Sequence, residues 1–156
     1  MGSVTDLLEA FEQVNIKEMA FESCRRNSDQ FVNAVKGQLW DGQKPDGSDI
    51  TPSYLDDPYF KTRKQAEAYA SWKQKIGKNP RRNKYAPNLY INGYFYSTIA
   101  LRVDSQLTIE SGWGEVATKY SDALGVSLEN QQQIVSDVIE PEVQDEITRI
   151  TGLRFN

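Results

Sequence analysis

Few residues in this chain of 156 amino acids could carry catalysis, because it contains no histidine and one cysteine. Cys24 lies beside Arg25 and Arg26, and neighbouring cations lower the pKa of a thiol and favour a nucleophilic thiolate. Such a nucleophile is usually activated by a base, and histidine is the commonest one. We therefore interpret Cys24 as an unreactive residue of a helix.

Two pairs of nearby carboxylates are the other candidates for acid–base chemistry. Asp56 and Asp57 are adjacent, and Glu140 and Glu142 are two residues apart. Glycoside hydrolysis needs two carboxyl groups that flank a substrate at a defined separation, which closeness in sequence does not supply. These acids are more typical of surfaces and helix caps.

The aspartates that begin at Asp41 invite comparison with a calcium-binding loop. Counted from Asp41, positions 3, 5 and 12 are Gln43, Pro45 and Pro52. A calcium loop needs oxygen ligands at these positions and a bidentate glutamate at the last one. The sequence therefore predicts a turn-rich connector here and no metal site.

No other catalytic or cofactor motif is present in the sequence. It has no phosphate-binding glycine loop and no Gly-x-Ser-x-Gly elbow, and Gly112-Trp113-Gly114 lacks the third glycine of a dinucleotide turn. We expect a protein that is not an enzyme and that uses no cofactor. A small enzyme of unfamiliar type remains a third alternative.

The charges are unevenly distributed along the chain, whose net charge is −4. The basic segment, residues 60–84, contains nine of the eighteen Lys and Arg residues and one acid, Glu67. The acidic segment, residues 129–146, contains six acids and no base. Both segments could be solvated faces, or they could steer one copy onto another copy or a partner. The alternative function is a nucleic-acid-associated binding module that uses the basic residues 61–84, although the overall acidic balance argues against it.

The spacing of apolar residues predicts one α+β domain over residues 1–156, in which a small antiparallel sheet packs with several helices. The expected elements are N-terminal helices at about 4–40 with a break at Asn27-Ser28, an ordered loop at 41–58, a basic helix at 61–76, a β-hairpin at about 98–110 and C-terminal helices at 127–151. In the basic helix we expect Ala66, Tyr69, Ala70, Trp72 and Ile76 to form the buried side. Pro141 is expected to begin the second of two C-terminal helices, because proline suits a first helical turn.

The sequence contains no recognisable targeting or membrane segment. Residues 1–20 contain four acids, and no apolar run approaches the roughly 20 residues that cross a bilayer. We expect synthesis in a reducing cytoplasm and no membrane partner.

Four tyrosines lie within twelve residues, at Tyr85, Tyr90, Tyr94 and Tyr96, with Phe95 among them. They could form the edge of the core, with hydroxyl groups that reach water. They could equally form a protein–protein contact, since tyrosine gives a large contact area at low entropic cost. Between Tyr90 and Tyr94, Asn92-Gly93 is typical either of a hairpin turn or of the start of a helix.

The order of several short motifs resembles a known family. Residues 41–48 (Asp-Gly-Gln-Lys-Pro-Asp-Gly-Ser) precede Thr51-Pro52-Ser53-Tyr54, the Lys-rich helix with Tyr69 and Trp72, Pro87-Asn88-Leu89 and residues 92–99. Over about residues 30–151 this order resembles the head–tail joining and tail-completion (virion-morphogenesis) proteins of tailed bacteriophages, including those of crAss-like phages. Their Thr-Gly-x-Leu-x-x-Ser-Ile signature is changed here: Asn92 replaces Thr, Phe95 replaces Leu, and one residue separates Ser97 from Ile99.

The resemblance implies a virion structural protein of the neck or tail junction, made in the host cytoplasm. It implies a homo-oligomeric ring, a hexamer or dodecamer, whose partners are the portal or other neck and tail proteins and whose lumen could contact DNA. Members of this family have no catalytic site, so no catalytic residue is implied.

A ring needs two different patches on each subunit, and the two charged segments are candidates for them. We expect a basic group to face an acidic group of a neighbour, at Lys73, Lys75, Arg81 and Arg82 on one side and Glu140, Glu142, Asp145 and Glu146 on the other. Exposed ion pairs are worth only ~0–1 kcal/mol each, so they would set the register. Apolar side chains of the tyrosine cluster, such as Tyr94 and Tyr96, would supply the binding energy.

Overall fold

The structure is a computed structural model that describes residues 3–78 and 83–155. Its helices are α1 (Val4–Glu12), α2 (Ile16–Arg26), α3 (Ser28–Trp40), α4 (Arg63–Lys75), α5 (Tyr94–Ser97), α6 (Gly114–Lys119), α7 (Leu128–Ile134) and α8 (Glu140–Thr151). Strands β1 (Ala100–Val103) and β2 (Leu107–Glu110) form a two-stranded antiparallel sheet. A 3₁₀ turn spans Ser121–Ala123, and a π turn spans Val135–Ile139. The predicted α+β fold, a small antiparallel hairpin with several helices, is confirmed.

Polar side chains fix where the N-terminal helices begin and end. The Ser3 side chain accepts a hydrogen bond from the Asp6 amide, and the Asp6 carboxylate accepts one from the Ser3 amide, which makes a capping box for α1. The break between α2 and α3 falls at Asn27, as the sequence predicts. There the backbone leaves the helical region, and the Asn27 side-chain amide donates to the Ser23 carbonyl at 2.8 Å.

The hairpin presents one face to the helices. In its register Leu101 lies opposite Ile109 and Val103 lies opposite Leu107. Leu101, Val103 and Ile109 are half-buried and pack against a cluster that contains Cys24 and Phe31. Leu107, which the same alternation predicts on this face, is 38% exposed.

The main core lies between α3, the loop that follows it and α5. Val35 and Leu39 of α3 are fully buried, as is Ile50 of the loop. Phe95 of α5 packs in the same cluster. The core thus fixes the position of α5 relative to α3.

The loop at 41–58 is ordered by its own hydrogen bonds. Gln43 and Asp49 form an antiparallel bridge, and Gly47 turns the chain with a positive φ of 85°. The Asp46 carboxylate accepts hydrogen bonds from the amide and the hydroxyl of Ser48. The aspartate therefore serves a turn, as expected for a connector, and no metal-ligand cluster occurs among the described residues.

Pro141 lies in the first turn of α8, the second C-terminal helix, as the sequence predicts. The backbone stays in the helical region from α7 through the π turn into α8, and this run ends at Gly152. A proline ring ordinarily crowds the carbonyl of the preceding turn. The wider π turn lies directly before Glu140 and Pro141, and the helix therefore passes through without a break.

Glu142 joins α8 to the junction of α2 and α3. Its carboxylate accepts hydrogen bonds from the Ser23 hydroxyl at 2.6 Å, the Asn27 amide at 3.0 Å and the Arg26 guanidinium at 3.1 Å. The hydrogen bond from Ser23, followed by those from Asn27 and Arg26, lowers the pKa of Glu142 below its ordinary value. Its oxygens are thus occupied within the chain rather than offered to a neighbour.

This cluster predicts a pH-dependent stability. Because the pKa of Glu142 is lower in the folded chain, its carboxylate stabilises the fold at neutral pH. That contribution is lost as the pH falls from about 4.5, the ordinary value, through the folded pKa. We expect Glu142→Gln to lower the free energy of unfolding at pH 7 and to flatten its decline in acid, measured by urea denaturation at a series of pH values.

The matched control is Asp145→Asn. Asp145 is an exposed acid one turn away on α8, and its side chain makes no hydrogen bond with another described residue. It should follow the wild-type curve. Parallel pH curves for Glu142→Gln and the wild type would contradict the assignment.

Candidate functional site

A groove lined by aromatic rings lies between α4 and the segment that leads into α5. Its volume is about 320 Å³, within the range of natural binding pockets. We call it the aromatic groove, and its rings are those of Tyr54, Tyr69, Tyr90, Phe95, Trp113 and Tyr120. Such a lining is suited to apolar or aromatic groups of a partner.

On the α4 side, the rings continue from the groove onto the surface. Ring centroids are 5.2 Å apart for Tyr59 and Phe60, 5.2 Å for Phe60 and Tyr69, and 5.6 Å for Tyr69 and Trp72. Tyr59 and Trp72 are exposed at the two ends of this series. These contacts have the spacing of favourable aromatic pairs.

The exposure of these rings corrects the prediction for α4. The buried face contains Ala66, Ala70 and Lys73, whereas Trp72 is 44% exposed and Ile76 is 40% exposed. Small alanines let α4 lie close to the rest of the chain. Tyr69 is half-buried beside them, and Trp72 is placed on the outer side.

The opposite wall of the groove is formed around α5. The Trp113 ring lies 5.3 Å from Tyr94 and 6.5 Å from Phe95. Of the two uses of Asn92-Gly93, the structure shows the helix start: Gly93 has a φ of 84°, and the Asn92 side chain accepts a hydrogen bond from the Tyr94 amide.

The tyrosine cluster is divided between the core and the surface. Tyr94 is exposed and remains a candidate contact residue. Tyr96 is buried, and its hydroxyl donates to the Asn88 carbonyl at 2.6 Å. The expectation that Tyr96 lies at a subunit interface is therefore wrong, because it is a core residue.

Lys73 is also wrongly predicted as a surface charge, since only 1% of it is exposed. Its ammonium group donates to the side-chain oxygen of Asn88 at 2.7 Å and to the Tyr90 carbonyl at 2.6 Å. The Asn88 side-chain amide in turn donates to the Lys78 carbonyl at 2.6 Å. Lys73 therefore ties α4 to the far wall of the groove instead of facing a neighbour.

Other cations lie at the edges of the groove. The Lys78 ammonium lies 5.0 Å from the centre of the Tyr90 ring, and the Lys119 ammonium lies 5.4 Å from that of Tyr120. Lys75 is exposed on α4. Arg81 and Arg82, two of the predicted interface residues, lie outside the described residues.

The four predicted interface acids on α8 have different surroundings. Glu140 and Asp145 are exposed, whereas Glu142 belongs to the cluster with Ser23. Glu146 pairs with Arg149 at 2.6 Å, and this hydrogen bond lowers the pKa of Glu146. Among the described residues, no ion pair or hydrogen bond joins the acidic segment to the basic segment.

The residues considered for catalysis have surroundings that disfavour it. Cys24 is buried, and burial raises the pKa of its thiol, which keeps it protonated at neutral pH. Asp57 is buried and accepts a hydrogen bond from Lys119 at 2.7 Å, which is a structural use. In the parts of the chain that the structure describes, no helix is both long and apolar enough to cross a membrane.

Comparison with known proteins adds no relative: no family model, curated protein or solved structure matches the chain.

Sequence reasoning missed the groove because its rings come from distant positions. Tyr54, Tyr69 and Trp113 are separated by loops and helices, and no local spacing relates them. The signal in the sequence is the helical spacing of Tyr69, Trp72 and Ile76 beside the small residues Ala66 and Ala70.

The position of Lys73 predicts a large effect on stability. Lys73→Met keeps the length of the side chain but leaves the Tyr90 carbonyl without the donor that Lys73 provides, and removes one donor from Asn88. We expect the free energy of unfolding to fall by about 1–3 kcal/mol, measured by urea denaturation. The near-ultraviolet circular dichroism of the tyrosines should change with it.

Lys75→Met is the matched control, two residues along α4 at an exposed position. It should change stability by less than about 0.5 kcal/mol. Equal effects of the two substitutions would show that Lys73 does not hold the groove.

Proposed function

We propose that this chain is a non-enzymatic structural protein of a phage neck or tail junction, where its copies form a ring between portal and tail. The observation that carries the proposal is that one chain has two unlike charged segments that do not pair with each other among the described residues. A closed ring requires such a pair of different patches on each subunit. The resemblance of the motifs between residues 30 and 151 supports the same assignment.

The energy of assembly has to come largely from apolar contacts. Exposed ion pairs are worth only ~0–1 kcal/mol each and are screened by salt. The aromatic groove offers the larger contribution, since Tyr94 and Trp113 at its edge are about half exposed. Aromatic residues are enriched in the cores of protein–protein interfaces.

The interface set is accordingly revised from the one based on sequence. Lys73 and Tyr96 are removed because they are buried. Glu142 and Glu146 are bonded within the chain. The exposed candidates that remain are Lys75, Tyr94, Glu140 and Asp145.

The test is the content of purified virions of the phage that encodes the chain. Quantitative mass spectrometry should find the chain in a copy number that is a multiple of six, and an image of the neck should show it as a ring. A non-structural early protein of the same phage is the matched control and should be absent. Absence of the chain from virions would overturn the proposal, whereas a monomer in isolation would not, since many assembly proteins wait for a template.

One observation favours the alternative, a nucleic-acid-binding module. α4 carries exposed Lys64 and Lys75 beside the exposed ring of Trp72, and single-stranded nucleic acids bind to surfaces that combine cations with aromatic rings. DNA affinity measured against salt concentration separates the two functions. The ring proposal predicts weak binding, and Lys64→Glu with Lys75→Glu should leave it nearly unchanged. Tight binding with a steep salt slope that this variant reduces would support the alternative.

A further inference from the structure

Helix α1 carries an apolar stripe that the described residues leave largely exposed. Val4, Leu8 and Phe11 recur at helical spacing, and they are 75%, 59% and 44% exposed. No residue of α1 is buried, although its capping box fixes the start of the helix. A nine-residue helix is too short to be stable in water by itself, so a partner that covers this stripe would stabilise it.

The charges of α1 restrict what that partner is. Its ionisable residues are Asp6, Glu9 and Glu12, and all are acids. At about 100° per residue, Glu12 and Glu9 follow the stripe on its free edge, while half-buried Leu7 lies on the other edge. Glu9 and Glu12 form no ion pair with another described residue. A second α1 would bring like charges together, so the partner surface has to be apolar and basic.

Helix α4 has that surface. Tyr69, Trp72 and Ile76 form a stripe at helical spacing that adjoins the buried alanines: Tyr69 is half-buried, and Trp72 and Ile76 are exposed. Lys64 and Lys75 follow on the adjoining edge, where both are exposed. They form no ion pair with another described residue.

We infer that the acidic, apolar face of α1 in one copy docks on the basic, aromatic face of α4 in a second copy, at the outer edge of the aromatic groove. In this contact α1 packs on an apolar surface through side chains that are spaced by three, four and seven positions. The α1 carboxylates then face the α4 ammonium groups and fix the direction of the helix. The inference rests on the proposed ring: it retains the basic segment as one patch and assigns α1, in place of the acidic segment, as the other.

The contact is heterologous, because each copy contributes α1 to one neighbour and α4 to the other. A cysteine on each face distinguishes this from a contact between like faces, α1 with α1 or α4 with α4. We expect a mixture of Leu8→Cys chains and Ile76→Cys chains to form a disulfide-linked dimer under mild oxidation at high protein concentration, seen on a non-reducing gel. Neither variant alone should do so, and the native Cys24 is buried and should not interfere.

The matched control replaces Ile76→Cys by Leu128→Cys, an exposed apolar position on α7. That mixture should give no linked dimer. A dimer formed by Leu8→Cys alone would show an α1–α1 contact and overturn the inference, as would the absence of any link between positions 8 and 76.

Charge exchange tests the direction of the contact independently. Glu9→Lys with Glu12→Lys should weaken self-association at least about tenfold, measured by sedimentation equilibrium. Adding Lys64→Glu and Lys75→Glu to the same chain should restore it, because the complementarity is then reversed on both faces. Trp72→Ala should also weaken self-association at least about tenfold, whereas Leu128→Ala should not. Failure of the exchange to restore association would contradict the pairing, and so would a chain that is monomeric at every accessible concentration.

The results separate this inference from the proposed function. Virions that contain the chain in a multiple of six, without a link between positions 8 and 76, would overturn the α1–α4 contact and leave the neck assignment intact. A chain that links at these positions but is absent from virions would retain the contact and overturn the neck assignment.

Discussion

A lysine buried under the aromatic groove constrains the surrounding structure. An ammonium group that is shielded from water has to be hydrogen-bonded, and Lys73 meets this requirement through Asn88 and the Tyr90 carbonyl. Asn88 is itself held through both ends of its side chain, and its carbonyl accepts from the Tyr96 hydroxyl. One buried residue of the basic segment thus joins α4, the chain that precedes α5 and the core. The walls of the groove are fixed relative to each other because this network is satisfied.

The same constraint determines which face of α4 meets solvent. Because Lys73 points inward together with Ala66, the ring of Trp72 lies on the outer side of the helix, whereas Tyr69 is half-buried against Tyr54. The contact between Tyr69 and Trp72 offsets part of the cost of exposing Trp72, since neighbouring rings shield each other from water. The result is an aromatic surface beside lysines on α4. The ionisable residues of the first helix, α1, are all acidic. The two surfaces follow from how each helix packs within its own subunit.

The sequence predicts the positions of the helices and strands better than it predicts which of their faces are buried. The helix break at Asn27 and the hairpin depend on local spacing and local hydrogen bonds, which the sequence displays directly. The buried side of α4 depends on Asn88, a partner fifteen residues away from Lys73, and hydrophobicity alone favours burying Trp72 instead. The sequence predicts Pro141 in a first helical turn, but it does not reveal the π turn that joins this helix to the preceding one. The groove could not be predicted because three separate parts of the chain form it.

The separation of apolar and charged roles explains how one small chain could build a closed assembly. Charges attract over about 8 Å at physiological ionic strength, so they orient two copies only when these are already close. Once Leu8 and Phe11 lie on the ring of Trp72, removal of apolar surface from water supplies an attraction that salt does not weaken. In a heterologous contact, a pair of copies leaves one α1 face and one α4 face uncovered. Contacts of this kind therefore propagate from copy to copy until the first and last subunits meet.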